Sequence, residues 1–324
     1  MKLIKVFFVL LLVFSVSGFA VESYYFSPDK MGSSARMVRL GGVMGMSSYA
    51  DSIFENPAAL KRVQKFSSSF FTSTLMDELE YQNLAFAIRS SIGVFGIGFM
   101  TVGVDDIAST LEKKYVDRTE YFVDYYFNYK NSVAKASYQL SLNRSFHLGF
   151  SGSYYYSSFD TVTAEGMNMD FGILMTTKRF DFSFLMKNMM SSNEIKYSDT
   201  EEGVNSSDGQ TEKLSLESIY SLQYKLRHFS MYGQIKSNGS ENSFHKMVAL
   251  QFNPRFLRVF QCSVNYKRYP ISRYEEGSFE TVEKNSFGAG LTFKLFGVNI
   301  DYAYETSDHI EFANKHYMSA GYSF

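Results

Sequence analysis

Chemistry in this chain has five histidines to start from: His147, His228, His245, His309 and His316. A hydrolase needs a serine within reach of a histidine whose ring a third polar group orients. His228-Phe229-Ser230 brings the two types closest, yet no Asp or Asn stands beside them and the position reads as a tight turn. Near the C-terminus, SDHIEFANKH gathers Asp308, His309, Glu311 and His316, all metal-ligand types. Their spacing matches no tight site, and a solvated polar loop accounts for them. Residues 194–212 carry six acids without the spacing of an EF-hand, so surface solvation accounts for these too. The expectation is a protein that is not an enzyme, with no catalytic residue, no cofactor and no metal.

The elements around these residues point to a different purpose. Lys plus Arg total 32 against 33 Asp plus Glu, which leaves no basic footprint for nucleic acid. A single cysteine, Cys262, excludes an intramolecular disulfide. Aromatics reach 17% with 32 Phe, 24 Tyr and no Trp, while proline falls to 4, at positions 28, 57, 254 and 270. Many strands with no ladder donor to spare give such a composition. The start, MKLIKVFFVLLLVFSVSGFA, has a basic end (Lys2, Lys5), an apolar run from Val6 to Phe14 and a small-x-small Gly18-Phe19-Ala20. Residues 1–20 are therefore expected to be a cleaved signal peptide, too short in its apolar core to span a bilayer.

From Phe66 onward, period-two alternation recurs. Phe146, Leu148, Phe150, Gly152, Tyr154 and Tyr156 share one face, with His147, Gly149, Ser151, Ser153 and Tyr155 on the other. Phe180, Phe182, Phe184 and Met186 repeat the pattern, as do Phe296, Val298, Ile300, Tyr302 and Tyr304. Such segments suit tilted transmembrane strands. Fourteen are expected, joined by connectors that alternate between short turns and long loops at 75–82, 104–130, 158–165, 189–213, 237–243, 268–283 and 306–314. That alternation separates a membrane barrel, with turns on its periplasmic rim, from a Greek-key sandwich. The predicted fold class is all-β: a transmembrane antiparallel β-barrel of about fourteen strands with a short N-terminal plug containing a small helix. The divisions are 1–20 leader, 21–65 plug and 66–324 outer-membrane barrel.

Residues 48–60, SYADSIFENPAAL, supply that helix, with Asn56 as N-cap, Pro57 at the first helical position and Ala58, Ala59 and Leu60 behind. Arg89, Lys135, Asp170, Asp181, Glu217, Lys225, Lys294 and Asp301 fall on the polar faces of their strands. Their mixed signs fit ion pairing with a plug or across the lumen, and equally the solvated lining of a water-filled interior. Gly96, Gly98, Gly288 and Gly290 leave room on inward faces for strand bending or a bulky neighbour. Met167, Met169, Met175, Met186, Met189 and Met190 offer adaptable apolar contacts, lipid-facing for most of them. At the chain end Met318, Ala320, Tyr322 and Phe324 share a face, and a terminal aromatic on such a strand is what the barrel-assembly machinery reads.

Residues 33–60, SSARMVRLGGVMGMSSYADSIFENPAAL, resemble the N-terminal signature of the PorV/PorQ family, which belongs with the FadL-type hydrophobe transporters. Ala35-Arg36, Gly41-Gly42, Ala50-Asp51 and Asn56-Pro57-Ala58 with Leu60 match its elements in order. Arg39, Ser52 and Ala59 replace residues of its pattern, and the gap before Asn56 is about one residue short. The resemblance implies an N-terminal segment held within the barrel. It further implies passive transport of hydrophobic molecules across the bacterial outer membrane, or as the alternative an accessory role in protein secretion of the type IX kind. Its expected partners are outer-membrane lipid, the barrel-assembly machinery, and a hydrophobic small molecule or secretion-system proteins.

Overall fold

The protein is seen in a computed structural model that describes residues 25, 27–75, 79–115, 117–190, 194–199, 209–238, 244–254, 259–275, 278–307 and 315–324. The expected leader and the loop residues Asp308, His309 and Glu311 lie outside them. Strands β1 (Phe66–Leu75), β2 (Leu79–Arg89), β3 (Val94–Lys114), β4 (Thr119–Ser141), β5 (Phe146–Phe159) and β6 (Val162–Thr176) run up and down in sequence. β7 (Phe180–Lys187), β8 (Glu194–Asp199), β9 (Thr211–Lys213) and β10 (Glu217–Lys225) follow. The wall is completed by β11 (Phe229–Asn238), β12 (Phe244–Phe252), β13 (Phe260–Glu275), β14 (Ser278–Leu295), β15 (Val298–Ser307) and β16 (Lys315–Ser323).

β7 and β8 are two halves of one stave, because β6 pairs with β7 through Phe171–Thr176 and with β8 through Val162–Gly166. β10 and β9 are likewise two halves, pairing β7 and β8. The result is a closed antiparallel barrel of fourteen staves, sealed where β1 pairs with β16. Closure removes the exposed edge that an open sheet would leave. Alternation sorts the residues as expected. Phe70, Leu84, Ile97, Phe150, Leu222, Val248, Val264 and Leu291 face outward in an exposed apolar belt, while Ser, Asn, Gln and charged residues face in.

Several long loops turn out to be strand. β3 and β4 run on to a turn closed by Tyr115 N–H to the Arg118 carbonyl at 2.8 Å. That makes most of the expected loop 104–130 a projecting hairpin, bulged between Val104 and Ile107. β5 and β6 continue to a turn at Asp160, and β13 and β14 leave only 276–277 between them. Segments β8 and β9 occupy part of 189–213. Above the apolar belt both strand faces are wet, so the period-two contrast fades although Tyr121, Phe122, Val123 and Tyr125 retain strand propensity. Periodicity therefore found the belt, and of its extensions only 119–129 could be read from the sequence as a strand carried on above it.

The segment from Tyr25 to Gln64 folds inside the barrel as short helical turns, among them an α-helix at Ala35–Arg39 and another at Ser52–Glu55, ahead of a 3₁₀ helix at Pro57–Arg62. Asn56 caps the last of these, accepting from Ala58 N–H at 2.9 Å. The same side chain donates to Ser183 Oγ at 2.8 Å and to the Phe184 carbonyl at 2.9 Å, so the cap is also an anchor on the wall. Gly149 and Gly172 lie directly opposite each other on β5 and β6. Together they form the slot beneath Asn56-Pro57-Ala58, where a Cβ on either glycine would collide with that segment. On β3, a Cβ at Gly96 would stand 2.7 Å from Ile53 and one at Gly98 2.5 Å from Phe54. Inward glycines on these strands are seats for the inner segment. Gly41 and Gly42, at φ +74° and +83°, end the Ala35–Arg39 helix in a left-handed turn that other residues adopt with strain.

Gly149→Leu should therefore displace the inner segment while leaving the barrel closed, at a cost of about 1–3 kcal/mol from overpacking. Limited proteolysis within residues 33–62, alongside the heat-resistant migration of the folded barrel, checks it: cleavage should rise with the migration unchanged.

Candidate functional site

Three ionic latches hold the inner segment to the wall. Asp29 accepts from Lys187 at 2.5 Å and from Lys135 at 3.3 Å, and Lys135 also reaches Asp170 at 2.7 Å. Asp301 on β15 receives Arg36 at 3.1 Å and Arg39 at 3.5 Å. Asp181 on β7 receives Arg62 at 3.0 Å and Lys225 at 2.6 Å. Of the inward charges expected from the sequence, Lys135, Asp181 and Asp301 thus pair with the inner segment, while Asp170, Glu217 and Lys225 pair across the wall. Burial alone would raise the Asp29 carboxyl, but Lys187 and Lys135 outweigh it and hold it well below the usual carboxylate range. Burial would lower the Arg36 guanidinium, yet Asp301 and Asp51 hold it above its ordinary value. Arg89 does another job: its guanidinium donates to the carbonyls of Lys61 (2.6 Å) and Val63 (2.7 Å), satisfying the end of the Pro57–Arg62 helix.

Uncharged wall residues complete the fit. Gln234 accepts from Met44 N–H at 2.7 Å and donates to the Gly42 carbonyl at 3.2 Å. Asn265 and Ser263 donate to the Arg39 carbonyl at 3.1 and 3.0 Å. Asn83 donates to the Ser33 carbonyl at 2.6 Å. A buried backbone without regular ladders needs such partners.

Glu55 is the exception to neutralised charge. Burial, and then the negative charge of Asp51, push its carboxyl up to about 8, even though it accepts from Ser33 Oγ and Gly45 N–H, both at 3.1 Å.

The inner segment leaves a cavity on each side. Toward the long-loop rim lies one of about 300 Å³, lined by Met31, Met37, Val38, Met44 and Met247 together with charged side chains. Six of those charges form pairs, Lys187 with Asp29, Lys236 with Glu217 at 2.9 Å, and Lys267 with Glu305 at 2.5 Å, and the exposed Lys30 is the seventh. Beside Lys30, what these pairs leave is methionine surface. Toward the short-turn rim lies a cavity of about 410 Å³ with polar and cationic walls.

Of the residues picked out beforehand, Ala35 is fully buried, Arg36 is in the Asp301 latch, and Gly41-Gly42 form the turn between the two cavities. Asp51 is buried, accepts from Ser47 Oγ, and lies 3.8 Å from Arg36. Asn56, Pro57, Ala58 and Leu60 pack against the wall with no solvent exposure to speak of. Met318, Tyr322 and Phe324 face outward at the seam, where the Phe324 carbonyl accepts from Lys65 and Phe66 N–H at 2.9 and 3.0 Å. Of the six methionines read as mostly lipid-facing, Met167, Met169 and Met189 are exposed on the outer surface at 62, 47 and 45%, Met175 and Met190 are half-buried, and Met186 is buried. The lumen methionines were missed, although Met31, Met37, Met44 and Met46 crowd one short stretch ahead of the strands.

Ser230 is buried in the wall and receives Asn253 Nδ2 at 3.2 Å, while the His228 carbonyl accepts from Asn253 N–H at 2.7 Å. Among the described residues, no three His, Cys, Asp or Glu side chains gather to hold a metal.

The barrel with its filled lumen is similar to solved structures of hydrophobe transporters. Against the P. putida toluene transporter TodX the TM-score is 0.58, at 11% identity over 90% of this chain and 98% of that one. Against a Pseudomonas aeruginosa FadL homologue it is 0.53, at 11% identity over 95% of this chain and 100% of the other. No known family model matches the chain, and no curated protein matches it in sequence. What the chain shares with these structures is the barrel fold.

Asp301→Asn leaves the buried Arg39 without its counter-charge and Arg36 with Asp51 alone, and breaking a buried pair in this way costs about 3–5 kcal/mol. Ion conductance in planar bilayers should rise, because the inner segment loses its central latch. Glu55 gives a pH dependence. Its folded carboxyl binds a proton more tightly than the unfolded one, so docking is strongest at acidic pH. Docking then weakens by about 1.4 kcal/mol per pH unit as the pH climbs from the ordinary glutamate range toward the raised value. Hydrogen exchange of residues 33–62, corrected for intrinsic rates, should show this slope in the parent and a flat profile in Glu55→Gln.

Proposed function

We propose that this protein is an outer-membrane barrel through which hydrophobic molecules cross passively, with the inner segment as the gate. The observation that carries the reading is the cavity on the long-loop side. Six of its seven charged side chains are paired with one another, leaving only the exposed Lys30, and between them it offers an apolar molecule a methionine surface. Removing apolar area from water at about 25 cal/mol per Å² supplies binding without an energy source, and unbranched thioethers adapt to more than one shape. The outward apolar belt supports a bilayer location, and closure satisfies every strand edge there. The shared barrel fold adds support, since TodX is described as a toluene transporter. Bilayer lipid is the surrounding partner in this reading. The assembly machinery would read Met318, Tyr322 and Phe324 on the last strand.

Passage needs the inner segment to shift, and the latches set how readily it does. Their ionic nature gives discrete docked and undocked arrangements rather than a soft continuum.

The test is binding of an environment-sensitive alkyl dye to the detergent-purified barrel. Met247 lines the cavity from the wall, so Met247→Asp alters the apolar surface without touching a latch. Affinity should fall about tenfold while the inner segment stays protease-resistant. Unchanged affinity would remove the cavity from the pathway and this reading with it.

A further inference from the structure

The cavity on the short-turn side has the opposite character. Five cationic side chains line it: Arg36, Arg39 and Arg62 from the inner segment, and Lys225 and Lys294 from the wall. Asp181 is the acid in its lining, shared between Arg62 and Lys225. Asp301, behind Arg36 and Arg39, serves both. Lys294 forms no ion pair among the described residues. Arg39 is almost fully buried, and its Nε makes no hydrogen bond, the Asp301 oxygen standing 3.5 Å away. Five cations thus stand against Asp181, Asp301 and, 3.8 Å from Arg36, Asp51, and positive charge is in excess across the space as a whole. The cavity reaches the short-turn rim through a second opening, which shares Arg62, Lys294, Tyr49 and Asn299 with it.

Charges of one sign facing each other across a desolvated gap repel, and an oxyanion between them turns that repulsion into two attractions. We propose that this vestibule binds a small oxyanion, a carboxylate or a phosphate, entering from the short-turn rim. The bound anion bridges Lys294 on the wall to Arg36 and Arg39 on the inner segment and so clamps the segment shut. The site does not depend on what crosses the barrel. Occupancy at the short-turn face thereby sets how firmly the segment is held, and the anion that binds there acts as an effector of opening. A ligand that binds only the docked arrangement stabilises it in proportion to the logarithm of its concentration.

The test uses the full chain in detergent at constant ionic strength, with inorganic phosphate and succinate as probes. Calorimetry reads binding, and the proteolytic half-life of residues 33–62 reads the clamp. One saturable site is expected, with the half-life lengthening as it fills. Lys294→Gln should weaken binding about tenfold and abolish the protection. It removes no ion pair, so the barrel should fold as before. Lys213→Gln, at an exposed position on the opposite rim, removes the same charge and should change neither readout. Saturation by anionic phospholipid micelles in place of the free probes, with the same loss in Lys294→Gln, identifies a headgroup as the source of the oxyanion. Absence of saturable binding, binding unaltered in Lys294→Gln, or equal losses in both variants overturns the proposal.

Discussion

Everything inside this barrel depends on the pairing of Asp301 with Arg36 and Arg39. A carboxylate on the wall and two guanidiniums on the inner segment are all buried, and none of them is tolerable there alone. The pairing fixes the height of the Ala35–Arg39 helix, because Arg36 and Arg39 reach Asp301 from successive turns of one helical face. The glycine turn at 41–42 then carries the chain back across the lumen. Asp181 on β7 takes Arg62 in the same way, and the reversed pair of Asp29 on the segment with Lys135 on β4 and Lys187 on β7 adds a third hold, so the segment is fixed at several points around the wall rather than along one strand.

Steric seats reinforce the ionic ones. The Gly149–Gly172 pair receives Asn56-Pro57-Ala58, and Gly96 and Gly98 receive Ile53 and Phe54. Ion pairs in a lumen have a small net effect when intact and a large one when broken. Close packing contributes continuously through apolar burial. The combination gives a segment whose docked position is sharply defined while few interactions need to change for it to release.

The two cavities follow from where the latches lie. On the long-loop side three ion pairs close within themselves and leave Lys30, and much of the surface between is methionine. On the short-turn side three arginines converge while the wall adds two lysines, and the acids present are already shared. One lumen thus holds a largely charge-paired, methionine-lined chamber and a cationic one, separated by a few turns of chain.

The sequence by itself determined the barrel. Alternation from Phe66 to Phe324 sets which side chains face outward in the apolar belt, and fourteen staves follow, because a one-residue slip would turn the whole apolar face of a strand inward. The Asn56 cap was legible for the same reason: it is a local interaction. Strand length above the belt was not legible, since the contrast between faces disappears where both are wet. Only the tertiary structure decided the partners of the inward charges. Arg36 and Asp301 stand 265 residues apart, and no periodicity links them. Nor could alternation reveal that Met31, Met37 and Met44 face a cavity, since they lie in a segment without strand geometry. Local rules specify a wall. What fills it is settled by charge and volume matching between residues distant in the chain.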